Sequence, residues 1–330
     1  MDINQIAQMA GVSRATVSRY LNDGYVSQEK RVAIRRVIEQ TGYVPSQQAK
    51  SLRTGKSYVV GVVIPKINST SVGRMTAGIT SVLNDAGYQV LLANTDNDAA
   101  REVEFLRLFS ERSKVDGVIL VATVFTPAHR EVLDQLPVPL VVLDQVLSGR
   151  SCVYQDDFGA LREVTERVLE RAEHPAYIGV FEEDVAAGRQ RHDGFLAACR
   201  SRDVHVPDEA QLVADFSVDG GYGCCEQLLA SYPQVDAIVC ATDSIAYGAL
   251  TCLRENGIEV PRDVQVTGVG DSELSQVVTP RLTTVHHHYK TSGVEAAKML
   301  VGLMTSDDMV PREVKMGFEI VMRDSTDCPA

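Results

Sequence analysis

The sequence predicts an α/β protein, in which a small all-α head precedes a core of two doubly wound parallel-sheet lobes. Three observations lead to this fold class. The 330 residues are too many for one compact hydrophobic core. From residue 58 onward, short apolar runs alternate with helical stretches, whereas residues 1–44 contain only short helical patterns. We therefore predict a head at residues 1–44, a hinge segment at 45–57 and the core at 58–330.

The composition is that of a globular protein along the whole length. Hydrophobic residues make up 45% of the chain and charged residues 23%. No apolar run reaches the ~18 residues that a membrane-spanning helix needs, so we expect no membrane partner. The first residues lack the basic-then-apolar order of a secretory signal, and the 7 cysteines lack metal-ligand spacing. These features predict a cytoplasmic protein with free thiols.

The charge is distributed unevenly along the chain. The net charge of −12 argues at first against a nucleic-acid partner, but residues 1–57 carry nine Lys/Arg and four Asp/Glu, a net of +5. The remaining residues therefore carry −17. A basic head on an acidic core is the asymmetry typical of a protein that binds DNA.

Residues 3–21 predict two short helices joined by a turn. Apolar residues between Ile3 and Ala10 are spaced as one helix face, and Gly11 supplies the positive φ that a tight turn needs. Ser13 is a good cap for the next helix, Arg14 to Leu21. Together they predict a helix-turn-helix, whose second helix enters the major groove of double-stranded DNA. Arginine there can bind guanine O6 and N7 bidentately.

A third helix and the hinge segment complete the N-terminal region. Ser27 caps a helix that runs to about Gln40, and Gly42 ends it. The segment from Pro45 to Arg53 is shorter than the ~12–15 residues that form a helix alone in water. We expect it to become ordered only with DNA and a partner chain.

The motifs INQIAQMAGVSRATVSRYLN and GYVSQEKRVAIRRVIEQTGYVPSQQAKSLRTGKS, at this spacing, resemble the lac repressor family of transcription regulators. The resemblance covers essentially the whole chain and implies a palindromic operator. It implies that Arg14, Ala15 and Arg19 read bases and that Leu52 wedges into the minor groove. The full set of residues expected to contact DNA is Ser13, Arg14, Ala15, Thr16, Ser18, Arg19, Tyr43, Ala49 and Leu52. No heptad segment follows the core, so we expect a two-fold homodimer.

Strands in the core are predicted from apolar runs that end at turn residues. They lie at Val59–Ile64, Gln89–Ala93, Asp116–Val121, Leu140–Leu143, Tyr177–Phe181, Asp236–Cys240 and Val264–Val269. Such continuous apolar strands, with helices between them, predict parallel sheets that are covered on both faces.

Polar residues follow nearly every predicted strand of the core. Ligands bind beyond the carboxyl ends of parallel strands, and hydroxyls, amides and carboxylates there are typical of a sugar site. Each residue alone is more often a helix cap or a solvated loop residue, but their recurrence favours a binding site. The candidates are Lys66, Asn68, Ser69, Asn94, Thr123, Gln145, Thr242, Asp243 and Asp271, with Glu183 and Asp184 also following a strand.

The same resemblance implies a periplasmic-binding-protein-like core and the role of Arg191. The segment Arg191-His-Asp-Gly-Phe195 is similar to the motif whose arginine holds effector hydroxyls, and Asp243 matches a residue that shapes the pocket. The family's usual sugar-binding carboxylate is Gly270 here. VATVFTPAHREVL and VVTPRLTTVHHHYKTSG resemble trehalose operon repressors, with sucrose repressors next. This resemblance implies trehalose 6-phosphate or a related disaccharide as effector; a phosphate would require cations such as Lys66 and Arg74.

Two other classes of function are weighed against this interpretation. In His286-His-His288 only the first and third side chains of a strand would converge, and no third ligand is evident, so we expect no metal. No nucleophile elbow, P-loop or paired carboxylate motif occurs, so we expect no enzyme and no cofactor. A sugar-binding protein that does not bind DNA is the alternative, and the basic head argues against it.

Overall fold

The computed structural model describes residues 1–22, 24–43, 55–111, 115–306 and 310–327. The chain separates into an N-terminal unit, Met1–Tyr58, and a core unit, Val59–Ala330. Most of the predicted hinge segment, including Ala49 and Leu52, lies outside the described residues. Each unit is described by itself.

The N-terminal unit is a three-helix structure whose helices match the predicted ones. They are α1 (Ile3–Met9), α2 (Arg14–Tyr20) and α3 (Gln28–Thr41). Gly11 and Gly42 adopt φ of 65° and 62°, which end α1 and α3 as expected. The Ser13 hydroxyl accepts a hydrogen bond from Thr16 N at 3.2 Å and so caps α2. Ile6, Val17 and Ile34 are fully buried at the centre of this unit.

The core unit contains two sheets. Its strands are β1 (Val59–Ile64), β2 (Gln89–Asn94), β3 (Gly117–Val121), β4 (Leu140–Leu143), β5 (Ser151–Gln155), β6 (Pro175–Gly179), β7 (Gln211–Val213), β8 (Ala237–Cys240), β9 (Gln265–Val269), β10 (Thr283–His287), β11 (Glu313–Met316) and β12 (Phe318–Val321). Within the described ranges, the first sheet has the order β11-β5-β4-β3-β1-β2 and is entirely parallel. The second has the order β12-β10-β9-β8-β6-β7, with β12 antiparallel to β10.

Helices cover both sheets and connect them. They are α4 (Thr70–Asp85), α5 (Ala99–Glu111), α6 (Pro127–Asp134), α7 (Asp157–Val168), α8 (Arg191–Ser201), α9 (Val218–Ser231), α10 (Asp243–Glu255) and α11 (Tyr289–Thr305). A π-helical turn, Val185–Gln190, precedes α8. The chain passes from the first sheet to the second after β5, returns after β10 and passes again after β11. The two lobes are therefore joined by three connections, and their facing edges form a cleft.

Helices α4 and α11 pack backbone to backbone. A Cβ atom on Gly78 would lie 2.1 Å from Lys290 O, and one on Gly293 would lie 2.1 Å from Met75 O. Only glycine permits this approach, which fixes α4 beside the start of α11.

The predicted fold class is confirmed, but five strands of the described residues were not predicted: β5, β7, β10, β11 and β12. β6 begins at Pro175, two residues before the predicted start. β11 and β12 are edge strands without a fully buried residue, so they lack the apolar signal of a buried parallel strand. Among the described residues, no helix combines the length and apolar character required to cross a bilayer.

Candidate functional site

The predicted DNA-contacting residues of α2 lie mostly on its exposed surface. Ser13, Arg14, Ala15 and Arg19 are exposed, whereas Val17 is buried in the centre of the unit. Neither arginine forms a salt bridge with another described residue. This arrangement leaves two guanidinium groups on one exposed helix, as base contacts require.

The other predicted DNA contacts of the N-terminal unit are partly buried. Thr16 and Ser18 are half-buried, and the Thr16 hydroxyl lies 2.9 Å from the Ser13 hydroxyl. Tyr43 is half-buried and packs against the apolar centre of the unit. The Arg31 guanidinium lies 5.6 Å from the centre of the Tyr20 ring, a cation–π contact that ties α3 to α2.

A cavity of about 210 Å³ lies between the lobes, at the carboxyl ends of the strands. Both sheets contribute loops to it, as expected for parallel sheets. Most of the predicted effector residues line it: Lys66, Asn68, Ser69, Thr123, Gln145, Arg191, Thr242 and Asp243. Asp144, Asp184, Phe216 and Tyr289 line it as well.

Arg191 lines the cavity and forms a buried ion pair. Its Nε donates to Asp157 Oδ1 at 2.6 Å, and its Nη1 donates to Ala241 O at 2.6 Å. His287 Nε2 lies 3.5 Å from the same Asp157 oxygen. Burial disfavours the Asp157 carboxylate, but Arg191 and then His287 outweigh it and hold its pKa below the usual value. Part of the charge of Arg191 is therefore balanced by the protein itself.

Asp243 shapes the cavity through its two oxygens. Oδ2 accepts from Ser272 N at 2.8 Å, and Oδ1 accepts from the Thr284 hydroxyl at 2.5 Å. A Cβ atom on Gly268 would lie 2.6 Å from Oδ1, so glycine is needed there. Burial raises the pKa of Asp243 although these hydrogen bonds oppose it. The carboxylate fixes the loop after β9 against the start of α10.

Two further carboxyls face the cavity. The Gln145 amide donates from Nε2 to Asp184 Oδ1 at 2.8 Å and to Thr123 O at 2.9 Å, so it links the two lobes. Burial raises the pKa of Asp184 to about 6. Burial, and then Asp157, raises the pKa of Asp144 to about 7. The sequence analysis did not identify Asp144, which immediately precedes Gln145. Its φ of 73° is not predicted by the sequence.

Two predicted effector residues, Asn94 and Asp271, lie outside the cavity lining. Asn94 Oδ1 accepts from Ile67 N at 2.9 Å and Nδ2 donates to Asp96 at 2.6 Å, so its amide fixes a loop. Asp271 accepts from Arg323 Nη2 at 2.6 Å and lies 2.8 Å from His286 Nδ1. Both side chains are used by neighbouring protein groups instead of facing the cavity.

Arg74 also has protein partners. Its Nη1 donates to Gly270 O at 2.9 Å and its Nη2 donates to Asp271 O at 2.5 Å. Because Arg74 belongs to the first lobe and the two carbonyls to the second, this contact joins the lobes. The guanidinium is therefore hydrogen-bonded to two carbonyl oxygens of a loop in the second lobe.

The histidine run alternates as a strand requires. His287 is fully buried, whereas His286 and His288 point to the other face with ring centres 5.2 Å apart. Across the described ranges, no three His, Cys, Asp or Glu side chains are grouped so that they could hold a metal ion.

Comparison with known proteins identifies the family of the chain. Residues 2–46 match the model of the bacterial regulatory proteins of the lacI family, and residues 168–326 match a periplasmic binding protein-like domain. A sucrose operon repressor of Staphylococcus xylosus is 32% identical over 302 residues, which cover 91% of this chain and 92% of that protein.

Two solved structures share the fold. A complex of the transcriptional regulator CelR with cellobiose is 28% identical with a TM-score of 0.77, covering 98% of this chain and 99% of that one. The trehalose repressor from Escherichia coli is 25% identical with a TM-score of 0.71, covering 80% and 99%. These proteins are named for different sugars, so the particular similarity of this chain to trehalose operon repressors stays a prediction. The chain belongs to the lacI family of bacterial regulatory proteins and is a transcriptional regulator, not an enzyme.

Proposed function

We propose that this regulator represses a sugar-utilisation operon by binding a palindromic operator, and that a sugar in the interlobe cavity releases it. The observation that carries the proposal is the presence, in one chain, of an exposed α2 with Arg14 and Arg19 and of a cavity lined by hydroxyl, amide and carboxyl groups. Because each chain has one helix-turn-helix, a two-fold homodimer would contact two half-sites. In the hinge segment 45–57, Leu52 is proposed to wedge into the minor groove and Ala49 to contact the DNA.

The charges at the cavity favour an uncharged sugar over a sugar phosphate. Asp144, Asp184 and Asp243 line it, opposed by Lys66 and by Arg191. Arg191 is already paired with Asp157. Asp184, with a pKa of about 6, is mostly ionised at neutral pH, so a phosphate group would meet this negative charge as well as Lys66, at a cost in binding free energy.

Trehalose 6-phosphate is the effector that the sequence resemblance implies first. Its phosphate group would require Lys66 and Arg74 as cations, but Arg74 donates to the carbonyls of Gly270 and Asp271. Lys66 lines the cavity and is the residue through which a phosphate would bind. A free disaccharide such as sucrose, trehalose or cellobiose agrees better with these contacts.

Release of the protein from its operator requires that sugar binding and operator binding be thermodynamically linked. A sugar can change operator affinity only if it prefers one arrangement of the lobes, and the coupling is then reciprocal. The Gln145–Asp184 hydrogen bond and the contacts of Arg74 cross the cleft, so both would change with the lobe arrangement. We propose that these contacts set the balance between the two arrangements.

Selection from a library of random duplexes tests the DNA-binding part. The purified full chain should enrich a palindromic sequence, and adding the correct sugar should lower its recovery. Arg14→Ala combined with Arg19→Ala serves as a folded control that enriches no sequence. If wild-type chain enriches no sequence but still binds a sugar, the protein is a sugar-binding protein without an operator.

A further inference from the structure

The turn that follows β9 has an unusual backbone beside the cavity. Gly270 has a φ of 136°, a value that only glycine adopts readily, and Asp271 has a φ of 45°. A residue with a side chain adopts a positive φ at a cost, and this conformation persists only where the surrounding structure holds it. Gly270 lines the cavity, so the turn borders the proposed sugar site.

Three polar side chains of the second lobe hold the Asp271 carboxylate. Its Oδ1 accepts from Arg323 Nη2 at 2.6 Å and from the Ser275 hydroxyl at 3.3 Å, and its Oδ2 lies 2.8 Å from His286 Nδ1. Asp271 N donates to the Thr284 hydroxyl at 3.3 Å. Because both the side chain and the backbone nitrogen are held, the turn keeps its positive φ.

The turn presents two neighbouring carbonyl oxygens to the first lobe. Arg74, on α4, donates from Nη1 to Gly270 O at 2.9 Å and from Nη2 to Asp271 O at 2.5 Å. A guanidinium is a rigid planar fork, so it binds both oxygens at once only where the backbone holds them side by side. The contacts of the Asp271 side chain therefore hold the turn in the form that Arg74 binds.

The contact between Arg74 and the turn is suited to reversible opening. Arg74 is half-buried, so its guanidinium can exchange the two carbonyls for water when the lobes separate. The net free energy of such an exchange is small compared with the strength of the hydrogen bonds themselves. The buried pair of Arg191 and Asp157 differs, because both residues lie on helices of the second lobe and stay together when the lobes move.

We propose that Arg74 and the turn Gly270–Asp271 form a latch that holds the lobes closed around the cavity before a sugar binds. A sugar that contacts both lobes also favours closure, so the latch lowers the concentration of sugar needed to release the operator. The effect on release rests on the proposed function, whereas the effect on lobe closure rests only on these contacts.

Acrylamide quenching of a single tryptophan tests the latch without any sugar. The chain contains no tryptophan, and Phe216→Trp places an indole in the cavity lining, where opening of the lobes exposes it. In this background, Arg74→Gln should raise the quenching constant about twofold or more, because the open arrangement becomes more populated. Arg101→Gln makes the same change at an exposed arginine of the first lobe, paired with Asp96, and should leave quenching unchanged. Quenching that Arg74→Gln does not raise overturns the latch.

A second variant tests whether the Asp271 side chain acts through Arg74. Asp271→Ala removes the carboxylate that holds the turn but neither of the carbonyl oxygens that Arg74 binds. It should raise quenching as Arg74→Gln does, and combining the two changes should add little, because each breaks the same contact. Fully additive effects would mean that the carboxylate only anchors Arg323, and would overturn its role in the latch.

Titration of the operator complex with trehalose, sucrose and cellobiose separates the latch from the proposed function. Arg74→Gln should require about tenfold more of any sugar that releases wild type, since losing a charged hydrogen-bond donor shifts a two-state balance by this order. If Arg74→Gln raises quenching but no sugar releases wild type, the proposed function fails and the latch stands. If a sugar releases wild type and Arg74→Gln equally, with equal quenching, the latch alone fails.

Discussion

Arg191 is both a cavity residue and one half of a buried ion pair. Its side chain and that of Asp157 are only 8% and 2% exposed, so neither charge is stabilised by solvent. Sequence reasoning assigned Arg191 to the ligand through the family motif, but could not show that Asp157, 34 positions earlier, already binds it. The arginine therefore has a structural role that a ligand-binding motif does not reveal.

Replacing this arginine should destabilise the core. Arg191→Ala leaves the Asp157 carboxylate buried without its partner, so we expect a loss of about 3–5 kcal/mol in the free energy of unfolding. The double variant Arg191→Ala with Asp157→Asn should recover part of that loss. Lys315→Ala, which breaks an exposed pair with Asp156, should cost less than about 1 kcal/mol. Denaturant unfolding measures all three, and equal losses for the two single variants would refute the structural role.

Asp144 should make stability depend on pH. Its folded pKa of about 7 exceeds its unfolded value of about 4, so the folded chain retains a proton that the unfolded chain releases between these values. The stability from this proton is complete below about pH 4 and is lost as the pH rises through 7.

Asp144→Asn removes that dependence. The free energy of unfolding of the variant should exceed that of wild type by about 4 kcal/mol at pH 8 and equal it near pH 4, since the shift is about three pKa units and each unit is worth about 1.4 kcal/mol. Asp203→Asn is the control, because Asp203 is an exposed aspartate that also has a positive φ, of 55°. Thermal unfolding as a function of pH checks this, and parallel curves for Asp144→Asn and wild type would contradict it.

Arg14 and Arg19 should determine sequence preference. Alanine at either position should cost about 1–3 kcal/mol and relax the preference at particular base pairs. Lys56→Ala should weaken binding to all sequences alike and lower the salt slope by about one. Competition binding with single-base operator variants separates these results. A uniform loss for Arg14→Ala would mean that Arg14 contacts phosphates only.

At the level of elements, the sequence predicted what depends on local pattern. The helices of the N-terminal unit ended where Gly11 and Gly42 permit a positive φ, and buried parallel strands such as β1 and β4 were visible as apolar runs. β11 and β12 were not visible, because an edge strand has few buried positions. Asn94 and Asp271 lie at or after the carboxyl ends of strands, as predicted. The sequence does not reveal the protein groups that their side chains bind.

The α4–α11 contact gives a prediction at this scale. Gly78→Ala would place a methyl group 2.1 Å from a backbone oxygen of α11, so we expect a loss of about 2 kcal/mol or more in unfolding free energy. Gly73→Ala lies in the same helix with nothing within 4 Å of the added methyl. It should stabilise by about 0.5–1 kcal/mol through helix propensity. Similar midpoints for the two variants would show that α4 is not fixed against α11.

At the scale of the whole molecule, the two lobes are joined by three chain connections and by polar contacts across the cleft. The pattern of strands and helices predicted two lobes, because their apolar runs and intervening helices repeat along the chain. Two features were not predictable from the sequence, because they bring together residues that are far apart in it. They are the return of β11 to the first sheet and the Gln145–Asp184 contact. The central claim is that a sugar in this cleft controls operator binding.

Fluorescence anisotropy of the selected palindromic duplex, titrated with the full chain, tests this claim most directly. We predict that an uncharged disaccharide weakens operator affinity at least tenfold, and that trehalose 6-phosphate acts more weakly. Asn68→Ala changes an exposed cavity residue and should bind the duplex normally while requiring more sugar for release. Operator affinity that no sugar changes, or release that is identical for wild type and Asn68→Ala with every sugar, would contradict the account.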